Sequence, residues 1–378
     1  MRLLFVSHSF APPERPLANV GGMQRVAMDL HAQLQSEPQI ELHSMLLHSS
    51  WRWIVPRAIP FITALLARVP AFVEKHRIEA VLFSSMTTAL PAMGMADRIR
   101  DRGATVSAIC HGLDVTERNT LYQAGVRRTL AALDAIFPVS RATGQECADR
   151  GAPTDRILVI PNGIHLERFE QVLKARLDQT PLPHDGLPDG AFLCLSVGRQ
   201  VRRKGFAWFV TEVMPRLPTN VHYWLAGTGP EASAIAAAVV QAGLQDRVRV
   251  LGLVDDAELR RLYSRADLFV MPNIRVPGDM EGFGVVMLEA GACGVPTLAS
   301  DLEGIADVIT HGENGYLVAS EDADAFVQQV SGLCREPDRL RALSQRSAAL
   351  VRERFAWSSV AENYRTALLD VGPRRSRA

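Results

Sequence analysis

Short apolar runs bounded by Gly, Pro, Asn or Asp alternate along this chain with stretches of helical periodicity. The runs predict strands at residues 3–6, 40–47, 80–83, 105–110, 135–139 and 157–160. A second series follows at residues 192–197, 221–226, 248–251, 268–271, 296–299 and 315–318. Strands separated by helical patterns imply βαβ units and parallel sheets. Between the two series, residues 174–190 carry three Pro, two Gly and several charges, the composition of a linker. The expected architecture is therefore α/β, with two doubly wound domains facing across a cleft. The first spans residues 1–178 and the second residues 187–356, joined near residue 180. A last helical stretch at 358–371 precedes a Pro- and Arg-containing tail expected to be mobile. Parallel sheets place ligands at the carboxyl ends of their strands, so residues just after each strand are the candidates for chemistry.

Length and composition change this picture little. The 378 residues suit two domains, each large enough to bury a core. Lys plus Arg and Asp plus Glu are 41 each, which removes a global basic footprint for nucleic acid. Five scattered cysteines with no C-x-x-C pair read as small, reduced, buried side chains of a cytoplasmic protein. The four-residue apolar run before Ser7 is too short for the core of a signal peptide. The longest uncharged run, residues 80–96, contains Ser84, Ser85, Thr87, Thr88 and Pro91. It reads as a strand, a polar turn and a helix start rather than a membrane span.

Glu281 and Glu289 lie eight positions apart around the stretch GFGVVML. Gly282 and Gly284 allow a tight turn, and a helix is expected to begin near Gly284. That places Glu281 in the loop and Glu289 in the early turns. Free backbone N–H groups at Gly282, Phe283 and Gly284 would suit an oxygen-rich or anionic ligand. Two carboxylates there could each grip a hydroxyl pair of a sugar or ribose, unless they are ordinary solvated acids. After the strand at 192–197, Gly198-Arg199 and Lys204-Gly205, with Arg202 and Arg203 between, form a candidate anion clamp or a plain basic turn. Gly21 and Gly22 would let backbone N–H groups approach a phosphate, or simply make a turn. His111 follows the strand at 105–110, and His8 follows the first strand. Either can be a cleft residue or a satisfied structural histidine.

Two further patterns read as decoys. Gly227-Thr228-Gly229-Pro230-Glu231-Ala232, with Asp255 downstream, matches a dinucleotide-binding fingerprint, but Pro230 suits an ordinary first helical position. Asp322-Ala323-Asp324 looks like a metal-binding pair, although helix capping explains it equally. No histidine pair has metal-ligand spacing, which argues against zinc. Residues 51–68 combine Trp51, Trp53 and several aliphatics with Arg52, Arg57 and Arg68. This is the composition of an interfacial segment, or of a helix packed beside the site. Pro56 and Pro60 argue against one long helix there.

Taken together, these pieces resemble the retaining nucleotide-sugar glycosyltransferases of family 4, also called group 1, which have the GT-B fold. The resemblance rests on residues 271–273, 278–284, 288–290 and 294–296, together with Gly198-Arg199, Lys204-Gly205, Pro161-Asn162-Gly163-Ile164 and residues 226–230, all in the family's order. It implies two Rossmann-like domains. The N-terminal one would bind the acceptor, with the last helix packing back on it. The C-terminal one would bind the donor. Arg199 and Lys204 would hold the donor diphosphate, with Gly21 and Gly22 approaching it from the N-terminal domain. Glu289 would bind the ribose. Glu281, with the backbone at Phe283 and Gly284, would hold the transferred sugar, and His111 would sit near the reacting centre.

The resemblance further implies that a hexose is moved from GDP-mannose, UDP-glucose or UDP-N-acetylglucosamine to a glycan or lipid-linked acceptor. No metal and no cofactor would be needed. The chain would be cytoplasmic, with residues 51–68 able to touch the inner face of a membrane. A nucleotide-sugar epimerase of the same fold and a degenerate binding subunit are the rival readings. A nicotinamide dehydrogenase rests on the G-x-G-x-x-A pattern alone.

Overall fold

The computed structural model describes residues 1–14, 21–178 and 186–372, the Trp51 side chain excepted. The expected tail and the centre of the linker (residues 373–378 and 179–185) lie outside the described residues. The chain forms two compact units, residues 1–163 with 357–378, and residues 164–356.

The N-terminal unit holds five parallel strands: β1 (Arg2–Phe10), β2 (Glu41–His48), β3 (Ala80–Phe83), β4 (Thr105–Cys110) and β5 (Ala135–Pro138). Their order is β2-β1-β3-β4-β5. This is a doubly wound order whose direction reverses between β1 and β3, which puts the ligand-prone crevice at the ends of those strands. The central strands β1, β3 and β4 are buried almost throughout because helices cover both faces.

The C-terminal unit holds β6 (Phe192–Val197), β7 (Val221–Ala226), β8 (Val248–Gly252), β9 (Leu268–Met271), β10 (Thr297–Ser300) and β11 (Gly315–Val318). The order β11-β10-β9-β6-β7-β8 is that of a dinucleotide-binding sheet. Its switch point falls between β6 and β9.

Eleven of the twelve expected strands form. Residues 157–160 do not become a strand. Ile157 makes a single bridge to Ile136, and the N–H groups of Leu158 and Ile160 reach carbonyls of residues 136 and 138 at 2.9 and 3.0 Å. The run is apolar because it covers the β5 edge.

Two other expectations are corrected. One helix spans Ile54–His76, through Pro56, Pro60 and Pro70. Pro56 falls in the first turn, where N–H groups lack intrahelical partners anyway. Pro70 cannot donate to the Leu66 carbonyl, but the Arg98 guanidinium does so instead at 2.5 Å. Leu65, Val69 and Val73 on one face of this helix are fully or nearly fully buried in the unit's core, which outweighs the proline penalty.

The crossing between units lies at 163/164 rather than near 180. Helix Glu170–Leu177 packs on helix Asp256–Arg265 of the second unit, where Arg176 donates to the Tyr263 carbonyl at 2.9 Å and Arg168 to Asp256 at 2.8 Å.

The final helix, Trp357–Asp370, belongs to the N-terminal unit and packs on helix Gly22–Ser36. Its buried residues Trp357, Val360, Ala361, Tyr364 and Leu368 form one stripe at helical spacing. Tyr364 meets Phe137 of β5 edge-on at 5.5 Å. Tyr364→Ala should therefore destabilise the N-terminal unit by about 3 kcal/mol. Urea denaturation checks this, and an unchanged midpoint would mean the helix adds nothing to that core.

Candidate functional site

The switch point of the second sheet is built from the turns after β6 and β9. After β6 the chain runs through the exposed Arg199 into a short 3-10 turn, Arg202–Lys204, closed by Gly205 at φ 66°. A Cβ at Gly205 would lie 1.9 Å from the Pro272 carbonyl oxygen, so only glycine lets this turn press against the end of β9. The Ile274 N–H donates to the Arg203 carbonyl at 2.9 Å, fixing the two turns together. Lys204 and Glu281 are brought into contact by this packing.

Lys204 and Glu281 are 5% and 7% exposed, and Lys204 Nζ lies 2.5 Å from Glu281 Oε2. Arg203 Nε is 3.6 Å from the same oxygen, and Asn273 Nδ2 donates to it at 3.2 Å. All these contacts fall on Oε2. No hydrogen bond to Oε1 is made among the described residues. Burial alone would raise the Glu281 carboxyl, but the charges of Lys204 and Arg203 and the bonds from Lys204 and Asn273 outweigh it. The carboxyl is held below its ordinary range. Burial draws the Lys204 ammonium down, with Glu281 opposing. Neither residue is the solvated surface group that its composition alone would allow.

Gly284, at φ 87°, caps helix Val285–Ala292. This is where the glycine pattern predicts the helix to start. Phe283 is buried edge-on against Phe355 at 6.0 Å, so only its backbone is available to a ligand. Glu289 lies in the middle of the helix, 5% exposed, and accepts a 2.9 Å bond from the Tyr263 hydroxyl. It therefore has a holder of its own, separate from the Lys204–Glu281 cluster. The Arg199 guanidinium has no acidic partner among the described residues.

The remaining candidates belong to the N-terminal unit. Gly21 precedes helix Gly22–Ser36, and its carbonyl accepts from Arg25 at 3.0 Å. Half-buried His111 follows β4. Its Nε2 bonds the Ser84 carbonyl at 2.9 Å and must carry the proton there, which leaves Nδ1 as the acceptor of the neutral ring. The His111 N–H and the Met86 N–H donate to the two oxygens of Asp114 at 2.7 and 2.9 Å. His8 is buried against the Thr88 hydroxyl at 2.6 Å, and burial lowers its pKa to about 4. At neutral pH it is an uncharged structural ring.

Both decoys resolve structurally. A Cβ on Gly227 would lie 2.0 Å from the Gly198 carbonyl oxygen, so this glycine lets the turns after β6 and β7 meet. The helix after it starts at Ala232, leaving Pro230 ahead of it rather than in its first position, and Asp255 caps the next helix by accepting from Glu258 at 2.8 Å. Asp322 caps helix Ala323–Arg335, and Asp324 pairs with Arg216. Among the described residues, no group of three or more His, Cys, Asp or Glu is gathered as metal ligands. Four cysteines are buried, while Cys334 is partly exposed beside Asn220.

Asn273 lies in the stretch 271–273 that carries the resemblance, but without a role of its own, and spacing in the sequence does not reach Tyr263 or Glu303. Tyr263 and Glu303 come from distant elements and carry no local mark.

Comparison with known proteins settles the family. The model described as "Glycosyl transferases group 1" matches residues 191–336, and that described as "Glycosyltransferase Family 4" matches residues 20–168. The chain belongs to the family-4, group-1 glycosyltransferases. Its fold is GT-B. Anabaena HepE in complex with UDP has the same fold, with a TM-score of 0.74, 16% identity, and 98% and 100% of the two chains covered. The amylovoran biosynthesis glycosyltransferase AmsK of Erwinia amylovora is 28% identical over 62% of this chain. This chain spans 57% of AmsK's length. A GDP-mannose-dependent alpha-(1-6)-phosphatidylinositol monomannoside mannosyltransferase of Mycobacterium tuberculosis is 29% identical, with 78% of this chain and 76% of the relative covered.

Breaking one half of the Lys204–Glu281 pair leaves a buried charge without its nearest partner. Lys204→Met should cost about 3 kcal/mol, whereas Lys204→Met with Glu281→Leu should recover most of it. Because the Glu281 carboxyl is depressed, its contribution is complete above the ordinary Glu pKa. It is lost as pH falls through the folded value. Denaturation midpoints of the wild type and both variants between neutral and acid pH test this. Equal pH slopes in all three would mean the pair does not couple to folding.

Proposed function

We propose that this chain transfers a hexose, with retention, from a nucleotide diphosphate sugar to a glycan or lipid-linked acceptor in polysaccharide or glycolipid synthesis. The observation that carries the reading is the desolvated Lys204–Glu281 pair at the switch point, with Arg199 exposed in the same stretch after β6. As the glycosidic bond breaks, the departing diphosphate gains charge. Arg199 offers it a planar fork and Lys204 a point charge already stripped of water, where attraction is strongest. The N–H groups at Phe283 and Gly284 add a helix-start dipole.

Glu281 has one oxygen committed to Lys204, Arg203 and Asn273, and the other takes a sugar hydroxyl. Such an acid is a holder rather than a nucleophile. That favours front-face delivery, with the leaving phosphate assisting deprotonation of the acceptor. Glu289, steadied by Tyr263, takes the ribose. His111 acts at the transferred sugar, and Gly21 with Gly22 at the diphosphate. The reading needs no metal, because Asp322 and Asp324 are engaged in a cap and an ion pair. GDP-mannose, UDP-glucose and UDP-N-acetylglucosamine remain the donor set. The mycobacterial relative uses GDP-mannose and HepE holds UDP, so the comparisons favour neither base.

The acceptor side has its own support. On helix Ile54–His76, Val55, Ile59 and Leu66 are 69%, 63% and 39% exposed and share one face with Ile62. Arg52, Arg57 and Arg68 of the same segment are exposed, and Trp53 is 53% exposed. The helix is long and apolar enough to cross a membrane by length and composition, but an adjoining face of it is part of the unit's core. This favours a helix lying on an anionic membrane surface over a crossing one. The protein would thus be cytoplasmic and peripheral at the inner face of the membrane.

Incubating the protein with UDP-, GDP- and ADP-sugars, while following thermal stability and nucleotide release, tests the donor. One donor at about a hundred times its Kd should stabilise the fold by about 2.7 kcal/mol and slowly lose its diphosphate. Absence of both effects for every donor would overturn the transferase reading in favour of a binding subunit. Glu281→Ala should cut transfer at least tenfold more than it cuts affinity for the bare nucleotide, by about 1.4 kcal/mol or more. Trp53→Ala with Ile59→Glu should abolish sedimentation with phosphatidylglycerol vesicles. Unchanged sedimentation would remove this face from the membrane.

A further inference from the structure

The loop after β10 holds an unusual residue. Glu303 sits at φ 52°, a left-handed conformation that side-chain-bearing residues rarely adopt. Strain of this kind persists where the surroundings over-determine it, and it gathers at functional sites. The surroundings here are the candidate site itself. Glu303 Oε2 accepts the Glu281 N–H at 2.5 Å, and the next residue, Gly304, donates its N–H to the Glu281 carbonyl at 3.1 Å. A Cβ on Gly304 would lie 2.1 Å from the Gly282 carbonyl oxygen, so the two loops touch backbone to backbone. Glu281 thus has both of its main-chain polar groups tied to residues 303 and 304. Its side chain is tied to Lys204, Arg203 and Asn273.

We propose that Glu303 is a positioning residue. Its left-handed turn and its carboxylate clamp the Glu281–Gly284 loop, so that the Glu281 carboxylate is aimed at the transferred sugar. The inference rests on the nucleotide-sugar reading above. It assigns Glu303 no contact with the diphosphate, which belongs to Arg199 and Lys204. The geometry explains why a strained backbone is retained at 303. Glycine would relax the turn but would leave the Glu281 N–H without its acceptor.

Substitution separates strain from positioning. Glu303→Gly relieves the backbone and removes the acceptor. Glu303→Gln keeps an acceptor of the same reach. Glu303→Gly should fold as well as the wild type and bind the bare nucleoside diphosphate equally. It should lose about tenfold or more in kcat/KM for transfer, the scale of a lost hydrogen bond to a charged group. Glu303→Gln should restore transfer to within about threefold, because its amide oxygen still accepts.

Amide hydrogen exchange at Glu281 gives a readout that needs no turnover. Exchange should quicken in Glu303→Gly and stay slow in Glu303→Gln. Full transfer by Glu303→Gly, equal losses in both variants, or unchanged Glu281 exchange in Glu303→Gly would each overturn the clamp. If the wild type releases no diphosphate from any nucleotide sugar, the transferase reading fails, while the exchange data still decide whether Glu303 holds the loop.

Discussion

The C-terminal unit is organised around one costly interaction, the buried ion pair of Lys204 and Glu281. Removing two charges from water carries a penalty that their mutual attraction only partly offsets. An apolar pair of similar volume would serve the core at least as well. The arrangement makes sense as preparation for a charged ligand. Under the proposed function, a phosphate arriving at Lys204 would meet a positive charge that has already lost its water, so the attraction would not be diluted by solvent. The neighbours follow from this constraint. Gly205 lets the lysine turn lie against the end of β9, Asn273 and Arg203 share Glu281 Oε2, and Glu303 and Gly304 hold the main chain of Glu281.

Sheet order determines where this pair can exist. The second sheet reverses direction between β6 and β9, so these two strands are neighbours at the switch point and the turns that leave them meet there. Lys204 comes from the first turn. Asn273 and Glu281 come from the second. A slip of one residue along β6 or β9 would reverse the face of every side chain on that strand and shift the turn that follows it. The pairing of Cys194 with Leu268 and of Leu195 with Phe269 is therefore as much a part of the site as its charged residues. These strand residues are almost wholly buried, which fixes the register firmly.

Much of this was legible in the sequence, for physical reasons that differ by element. Buried strands of parallel sheets are mainly apolar runs, so β3, β4, β6, β7, β9 and β11 stand where the pattern puts them. Residues 157–160 fail by the same rule, because an apolar run that only covers an edge looks identical to a strand. Pro56 and Pro60 mislead because the burial of Leu65, Val69 and Val73 against other elements of the unit's core, which holds the helix, is invisible to local reading. Lys204, Glu281 and Glu289 are legible because their glycines mark the turns that place them. Tyr263 and Glu303 are not, since each reaches the site from a distant element. Nothing in the dipeptide Glu303-Gly304 announces that its first residue, rather than its glycine, takes the left-handed turn.

The two glutamates that the sequence presents as a matched pair are held in different ways, and that difference carries chemical meaning. Glu281 is ionised by design of its surroundings. Three cationic or amide groups converge on one oxygen, and its backbone is clamped at both polar atoms. Glu289 sits on a helix and is steadied by a neutral hydroxyl from Tyr263. A carboxylate surrounded by fixed positive charge responds to charge developing nearby, and so suits the bond that breaks. One steadied by a phenol offers a directed acceptor whose environment changes little during reaction, and so suits a group that is only bound. Under the proposed function, the eight-residue spacing separates a group that would act at the transferred sugar from a group that would anchor the nucleoside. Each has its own support, so the geometry of one can be tuned without disturbing the other.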